Sequence, residues 1–257
     1  MKIEILGCSG APGINLRPTA FLINNELLLD AGTVTEVLTP EQCLGIKNIL
    51  LTHAHLDHIG GLAYLPDAVY EILESPFQIY GLGETLRAVK KYIFNNVVWP
   101  DFAEIPDFSN AKISYNPIKE LRELHVDGYT VTPVKVNHTV PTVGYIIDDG
   151  ESALAFSSDT SSTELIWQKV RDADRLKAVI LEASFPNRYR DAAVMSGHLT
   201  PALLKEELAK LGRDEEVQVY ATHIKPVHRE EVIGELSELS SNAVPVKVLK
   251  DGMVLNI

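Results

Sequence analysis

The sequence predicts an α/β architecture, and three observations carry that prediction. Short apolar runs bounded by turn residues recur along the chain. Stretches with apolar residues three and four apart lie between some of them. No low-complexity linker or break in composition divides the 257 residues. Length alone allows one large domain or two small ones, so a single domain over 1–257 is the simplest organisation.

The runs Lys2–Leu6, Ala20–Ile23, Leu27–Asp30, Asn48–Leu51, Thr130–Val136, Gly144–Ile147, Ala153–Ser157, Ala178–Glu182, Val217–Thr222 and Pro245–Leu249 read as strands. Helical spacing marks Gly83–Phe94, Thr163–Ala173, Thr200–Leu211 and Arg229–Leu239. Thr200 offers a hydroxyl N-cap, and Pro201 fits the first helical position. A faint internal echo joins Leu27-Leu-Leu-Asp-Ala-Gly-Thr33 to Leu154-Ala-Phe-Ser-Ser-Asp-Thr160. Each is an apolar strand running into Asp and then Thr, as two similar half-sheets would give.

Composition narrows the class. An apolar content of 46% supports a sizeable core, and the two cysteines, Cys8 and Cys43, are too few for a disulfide framework. They read as buried, reduced thiols. No apolar run approaches the ~18 residues of a membrane span, and the start, MKIEILGCSG, lacks the order of a signal peptide. The expectation is a cytoplasmic protein with no membrane partner. Lys plus Arg (23) against Asp plus Glu (35) leaves a net charge of −12, which repels long polyanions and disfavours nucleic acid as a partner.

The sharpest motif is Thr52-His53-Ala54-His55-Leu56-Asp57-His58, directly after the strand Asn48–Leu51 and before Gly60-Gly61. In an extended segment, residues two apart share a face, so His53 and His55 aim at one metal ion. Asp57 and His58, past the turn, aim at a second. Imidazole with carboxylate suits zinc, manganese or iron, and the lack of thiolates argues against a structural cysteine-type zinc site.

This motif resembles the signature of the metallo-β-lactamase superfamily, which implies a four-layer αββα sandwich. Asn137-His138-Thr139 is similar to the segment carrying that family's third histidine for the first metal. Ser158-Asp159-Thr160 is similar to the segment with the aspartate that bridges both metals, and Tyr220-Ala-Thr-His223 to the one with the last histidine. The resemblance therefore implies His53, His55 and His138 on one divalent ion, Asp57, His58 and His223 on the other, and Asp159 on both. It also places Asp30 behind the ligands, orienting them. Zinc is the expected metal, with manganese and iron as alternatives. His125 and His228 match nothing in the pattern and read as ordinary structural or surface histidines.

Two such ions can share a hydroxide and clamp a substrate oxygen, chemistry that serves lactams, thioesters and phosphodiesters alike. The segments Leu181-Glu182-Ala-Ser-Phe185 and Ser196-Gly197-His198-Leu199-Thr200-Pro201 resemble the phosphodiesterase branch of the superfamily. There the histidine at the position of His198 contacts the scissile phosphate or assists the leaving oxygen, and the acid at Glu182 holds it; the catalytic set implied is Asp57, Glu182 and His198. Within that branch, His55–Leu62, Ile93–Phe102 and His138–Tyr145 resemble the class II cyclic-nucleotide phosphodiesterases. Asn95 and Trp99, in the second of these, either hold a purine by hydrogen bonding and stacking or belong to hydrophobic packing.

The expected activity is hydrolysis of a small phosphodiester, 3′,5′-cyclic AMP, to the 5′-monophosphate. The alternatives are a tRNase Z-like endoribonuclease, though no long Gly/Pro-rich basic arm is visible, and a lactonase or thioesterase on the same fold. Related enzymes are often dimers, so the resemblance also implies a homodimer.

Overall fold

The structure is a computed structural model that describes residues 1–212, 217–242 and 245–257. Its strands, numbered in chain order, form two seven-stranded sheets. Across the first lie β14 (Val254–Asn256), β1 (Lys2–Gly7), β2 (Ala20–Ile23), β3 (Leu27–Leu29), β4 (Asn48–Leu50), β5 (Phe77–Leu82) and β6 (Ile113–Ile118). Across the second lie β13 (Val246–Val248), β12 (Gln218–Thr222), β11 (Leu176–Glu182), β10 (Ala153–Phe156), β9 (Val143–Asp148), β8 (Tyr129–Lys135) and β7 (Leu124–Val126). The helices are α1 (Pro40–Cys43), α2 (Leu56–Ile59), α3 (Tyr64–Ala68), α4 (Gly83–Tyr92), α5 (Leu165–Asp172), α6 (Arg190–Met195), α7 (Pro201–Leu208) and α8 (Arg229–Asn242). Thr200 caps α7 as expected, its Oγ1 accepting from the Leu203 N–H at 3.3 Å with Pro201 just inside the helix.

The layers follow from strands that are apolar on both faces. In β3, Leu27 and Leu29 enter the core between the sheets while Leu28 faces the opposite way, into a separate cluster with Leu65, Leu86 and Val89 of the helical layer. From the second sheet, Tyr145, Ile147 and Phe156 meet the inner core, whereas Ile146, Ala155 and Val179 pack on Ile166, Trp167, Leu204 and Val232. The order is helices, sheet, sheet, helices: the αββα sandwich. Phe21 and Phe156 close the inner core edge to face at 5.3 Å, and the Tyr145 hydroxyl crosses it to donate to the Leu51 carbonyl at 2.8 Å.

The internal echo acquires a meaning here. β3 and β10 are each fourth of seven in their sheet, and each is antiparallel to one neighbour and parallel to the other. The repeated segments thus start on the two strands where pairing switches and run past their carboxyl ends, and switch points there are where open α/β sheets place their sites. Asp30 and Asp159 lie just past those strand ends, with Asp30 itself (φ 56°) and Ser158 (φ 57°) turning the chain through the left-handed region.

Several elements were not expected from the sequence. β6 carries Asn116 and Pro117, which weaken a strand signal, and the fold tolerates them because β6 is an edge strand paired only with β5. Both cysteines are buried and free, as expected, and burial pushes the Cys43 thiol up to about 11. Among the described residues, no helix is long and apolar enough to cross a membrane.

Candidate metal centre

Four strand ends and the turns that follow them deliver these histidines and carboxylates. Past β4 the chain stays extended through His53 to His55, which is the N-cap residue of α2, and the first turn of that helix carries Asp57 and His58. His138 follows β8, Asp159 follows β10, and His223 follows β12. The result is a group of His53, His55, His138 and Asp159, and beside it a group of Asp57, His58 and His223. Within each group the ligand-type atoms lie within 4.8 Å of one another. A third grouping brings His198 to Asp159 and His223.

Asp159 stands at the centre. Its Oδ2 lies 3.8 Å from His53 Nε2 and 3.9 Å from His138 Nε2 on one side, and 3.1 Å from His223 Nε2 on the other. Its Oδ1 lies 3.2 Å from His58 Nε2. His138 Nε2 and His55 Nδ1 approach to 3.2 Å, and His223 Nε2 and Asp57 Oδ2 to 3.1 Å. His53 Nε2, His58 Nε2 and Asp159 Oδ1 are buried and make no hydrogen bond. Orphaned buried polar atoms are costly, and here they converge from several elements onto the same space.

The outward nitrogens of His138, His58, His53 and His223 are engaged. The Gly197 carbonyl can only accept, so His138 Nδ1 donates to it at 2.8 Å and leaves Nε2 as the inward lone pair. His58 Nδ1 meets Asp30 Oδ2 at 2.7 Å. Thr52 Oγ1 lies 2.9 Å from Asp30 Oδ2 and 2.9 Å from His53 Nδ1, so a hydroxyl donating to the carboxylate accepts from the imidazole. Ser184 repeats this device, with Oγ 2.6 Å from Glu182 Oε2 and 3.0 Å from His223 Nδ1. Such partners fix ring orientation and tautomer around a metal. Two glycines make room for the turns: a Cβ on Gly32 would sit 2.1 Å from the Asp57 carbonyl, and one on Gly197 (φ 72°) 2.7 Å from His138 Nδ1.

Charge in the cluster is divided. Burial holds His53, His55 and His138 below the usual imidazole range, so this group presents neutral rings, the form a metal ligand needs. Burial alone would also depress His58, but Asp159 and Asp30 flank it and hold it well above that range. Asp159 lies well below the carboxylate range because the charges of His223 and His58 outweigh its burial. Asp57 is lowered in the same sense, through the hydrogen bond from His223.

Glu182 and His198 sit beside this cluster. Glu182 is fully buried at the end of β11 and accepts from the backbone N–H groups of Thr160 (2.9 Å), Leu199 (3.1 Å) and Ser184 (3.2 Å). Its Oε1 meets His198 Nδ1 at 2.8 Å. Burial opposes a charge on His198, yet Glu182 outweighs it and raises the imidazole above its ordinary value. The His198 ring stacks on His223 at 5.4 Å and meets His138 edge-on at 5.0 Å.

Every residue expected at the metal centre is thus brought into one cluster, with Asp30 behind it and Glu182 with His198 at its side. The other expectation has a different setting. Asn95 and Trp99 lie in the loop after α4, where the Asn95 amide is engaged by its own turn, accepting from the Val97 and Val98 N–H groups and donating to the Lys91 carbonyl. Trp99 packs edge-on against Tyr64 at 5.4 Å. Sequence reasoning assigned nothing to Thr52, Ser184 or Lys225. Lys225 donates to the Gly10 carbonyl at 2.7 Å and stands 4.0 Å from Asp57 Oδ2; only its position two residues after His223 could have drawn notice.

The imidazoles and carboxylates converging from both sheets of the αββα sandwich form a cluster that could hold metal ions. The chain belongs to the family of class-II cAMP phosphodiesterases, which matches residues 38–229. It is 29% identical over 233 residues to 3′,5′-cyclic-nucleotide phosphodiesterase 1 of Saccharomyces cerevisiae, a match covering 78% of this chain and 63% of the yeast protein. It thus spans less than two thirds of that relative's length. It is also 27% identical over 160 residues to the ribonuclease Z of Metallosphaera sedula, covering 60% of this chain and 50% of that protein. Unliganded yeast PDE1 superposes with a TM-score of 0.83 at 21% identity, over 100% of this chain and 99% of that one. The metallo-β-lactamase fold protein YhfI of Bacillus subtilis superposes at 0.79 and 19% identity, over 99% of each chain. These superpositions establish the fold.

Proposed function

We propose that this chain hydrolyses 3′,5′-cyclic nucleotides, cyclic AMP in particular, to 5′-monophosphates at a centre of two divalent metal ions, with zinc the expected metal. The observation that carries the reading is Asp159 lying between two groups of ligand atoms, with the Glu182–His198 pair alongside. Orphaned buried nitrogens and oxygens and neutral imidazoles fit such ions. His53, His55 and His138 would hold one, Asp57, His58 and His223 the other, and Asp159 both. When bound, the ions acidify a water toward neutral pH and draw charge from the phosphoryl oxygens.

The chain's own residues supply the rest. Glu182 on Nδ1 favours the His198 imidazolium, the form in which Nε2 holds a proton. As the bond between phosphorus and the 3′-oxygen breaks, that proton passes to the leaving oxygen and Nε2 is left with a lone pair. Thr52 and Ser184 keep the His53 and His223 rings from rotating. Turnover of purified cyclic nucleotides, lost on complete chelation and restored by zinc or manganese, is the expected result; full turnover without metal would sink the reading.

The ribonuclease Z likeness supports a second reading, cleavage of precursor transfer RNA. The net charge of −12 opposes it. Cleavage of such RNA at a rate exceeding cyclic-nucleotide turnover would favour it.

A further inference from the structure

Beside Asp57 lies a cavity of about 480 Å³, in the size range of small-molecule pockets. Its apolar walls include Leu16, Pro18 and Leu56, while Asp57 itself forms part of the lining. The cavity therefore shares Asp57 with the second group of ligand atoms.

One wall is a fixed loop between β1 and β2. Gly13 and Leu16 exchange backbone hydrogen bonds at 3.0 and 3.1 Å, and the Ser9 N–H donates to the Arg17 carbonyl at 2.9 Å. The Asp251 carboxylate accepts from the backbone N–H groups of Cys8 (3.1 Å) and Arg17 (2.9 Å). The same loop packs against the metal centre, since a Cβ on Gly10 would lie 2.7 Å from His223 Nδ1. A ligand there would meet a preformed surface, which lowers the ordering cost of binding.

Two charged residues in the lining keep unused capacity. Arg17 spends Nε on the Leu6 carbonyl (2.6 Å), with Asp251 Oδ2 3.8 Å from the same nitrogen, which leaves its two terminal nitrogens as donors. Glu36 spends Oε2 on the Thr33 hydroxyl (2.9 Å) and the Val34 N–H (3.0 Å), which leaves Oε1 as an acceptor. Apolar walls with one donor set and one acceptor suit a flat ring whose edge both accepts and donates, the chemistry of a purine.

We propose that this cavity receives the base of the nucleotide, its faces against Leu16 and Leu56 and its polar edge toward Arg17 and Glu36. The proposal rests on the phosphodiesterase reading and places the base on the Asp57 side of the centre, opposite in role to the proton donor His198.

Two substitutions fill the cavity: Leu16→Trp, and Pro12→Trp on the exposed part of the loop, where a folding defect is not expected. The readout is the ratio of kcat/KM for cyclic AMP to kcat/KM for bis(p-nitrophenyl) phosphate, a diester with no base, with thermal melts confirming that each variant folds. The ratio is expected to fall about tenfold or more, chiefly through KM for the nucleotide, with AMP weakened as a competitive inhibitor to the same extent. A ratio and an AMP inhibition constant within about twofold of the parent in both variants overturn the cavity assignment alone. A parent protein that cleaves the aryl diester but no cyclic nucleotide overturns both this proposal and the proposed function.

Discussion

Asp30 and Glu182 are the same device set in the two halves of the molecule. Each is a fully buried carboxylate near the end of a central strand, and each holds one imidazole directly, His58 at 2.7 Å and His198 at 2.8 Å. Each also holds a second through a hydroxyl, His53 through Thr52 and His223 through Ser184. They differ in what the far nitrogen of the directly held ring meets. His58 Nε2 is sealed in the interior 3.2 Å from Asp159, whereas His198 retains 6% exposure at the mouth of the cluster. On the proposed function, a carboxylate behind an imidazole would orient a ligand where the ring is enclosed, and would sustain a proton donor where the ring keeps some exposure.

The strongest way to break this comparison is His198→Ala. Turnover of phosphodiesters should fall by roughly 10²–10⁴-fold while metal content, read by elemental analysis, stays at the parent level. Loss of metal together with activity would make His198 another ligand and erase the contrast. Asp30→Asn should act the other way round, weakening metal affinity by about 10–100-fold with a much smaller effect on kcat at saturating metal, as competition with a chelator would show. Equal losses of kcat at saturating metal would contradict the role given to Asp30.

The pH profile sharpens the difference further. His198 is raised by Glu182, so its proton is present below that raised value and lost as pH rises through it. The descending limb of kcat/KM should belong to this group and should move to lower pH in Glu182→Gln; a limb that stays in place belongs to another residue. The smallest effects are expected from Thr52→Val and Ser184→Ala, each removing one relay worth about 0.5–1.5 kcal/mol. Metal dissociation should quicken by a few fold in both, and unchanged rates would reduce the relays to packing.

The metal centre was legible because four of its side chains fall within His53–His58, and the rest, single residues at strand ends, were marked only by their likeness to the segments of the resembled superfamily. The sandwich was legible because β2, β3 and β10 are apolar throughout and the other expected strands are short apolar-rich runs bounded by turn residues. Short elements were not. β7 and β14 are three residues each and owe their form to pairing with β8 and β1, which no local pattern records. The relays through Thr52 and Ser184 were likewise hidden, since a hydroxyl beside a histidine in sequence says nothing about the carboxylate that a different strand brings to it. The wall of the Asp57 cavity draws on positions from Pro12 to Gly60, and only the fold brings them together. The echo of Leu27–Thr33 in Leu154–Thr160 was visible, but that both segments lead off the switch strands required the sheet order.

The cluster draws His53 to His58 from one sheet and His138, Asp159 and His223 from the other. In the proposed metal-bound form it would act as a rivet through the sandwich. Separating the sheets would then release the ions, so occupancy would couple the melting of both halves. Free metal at a hundred times its dissociation constant would add about 2.7 kcal/mol to the stability of the whole fold rather than of one loop. The midpoint of thermal unfolding would thereby gauge metal occupancy without any substrate.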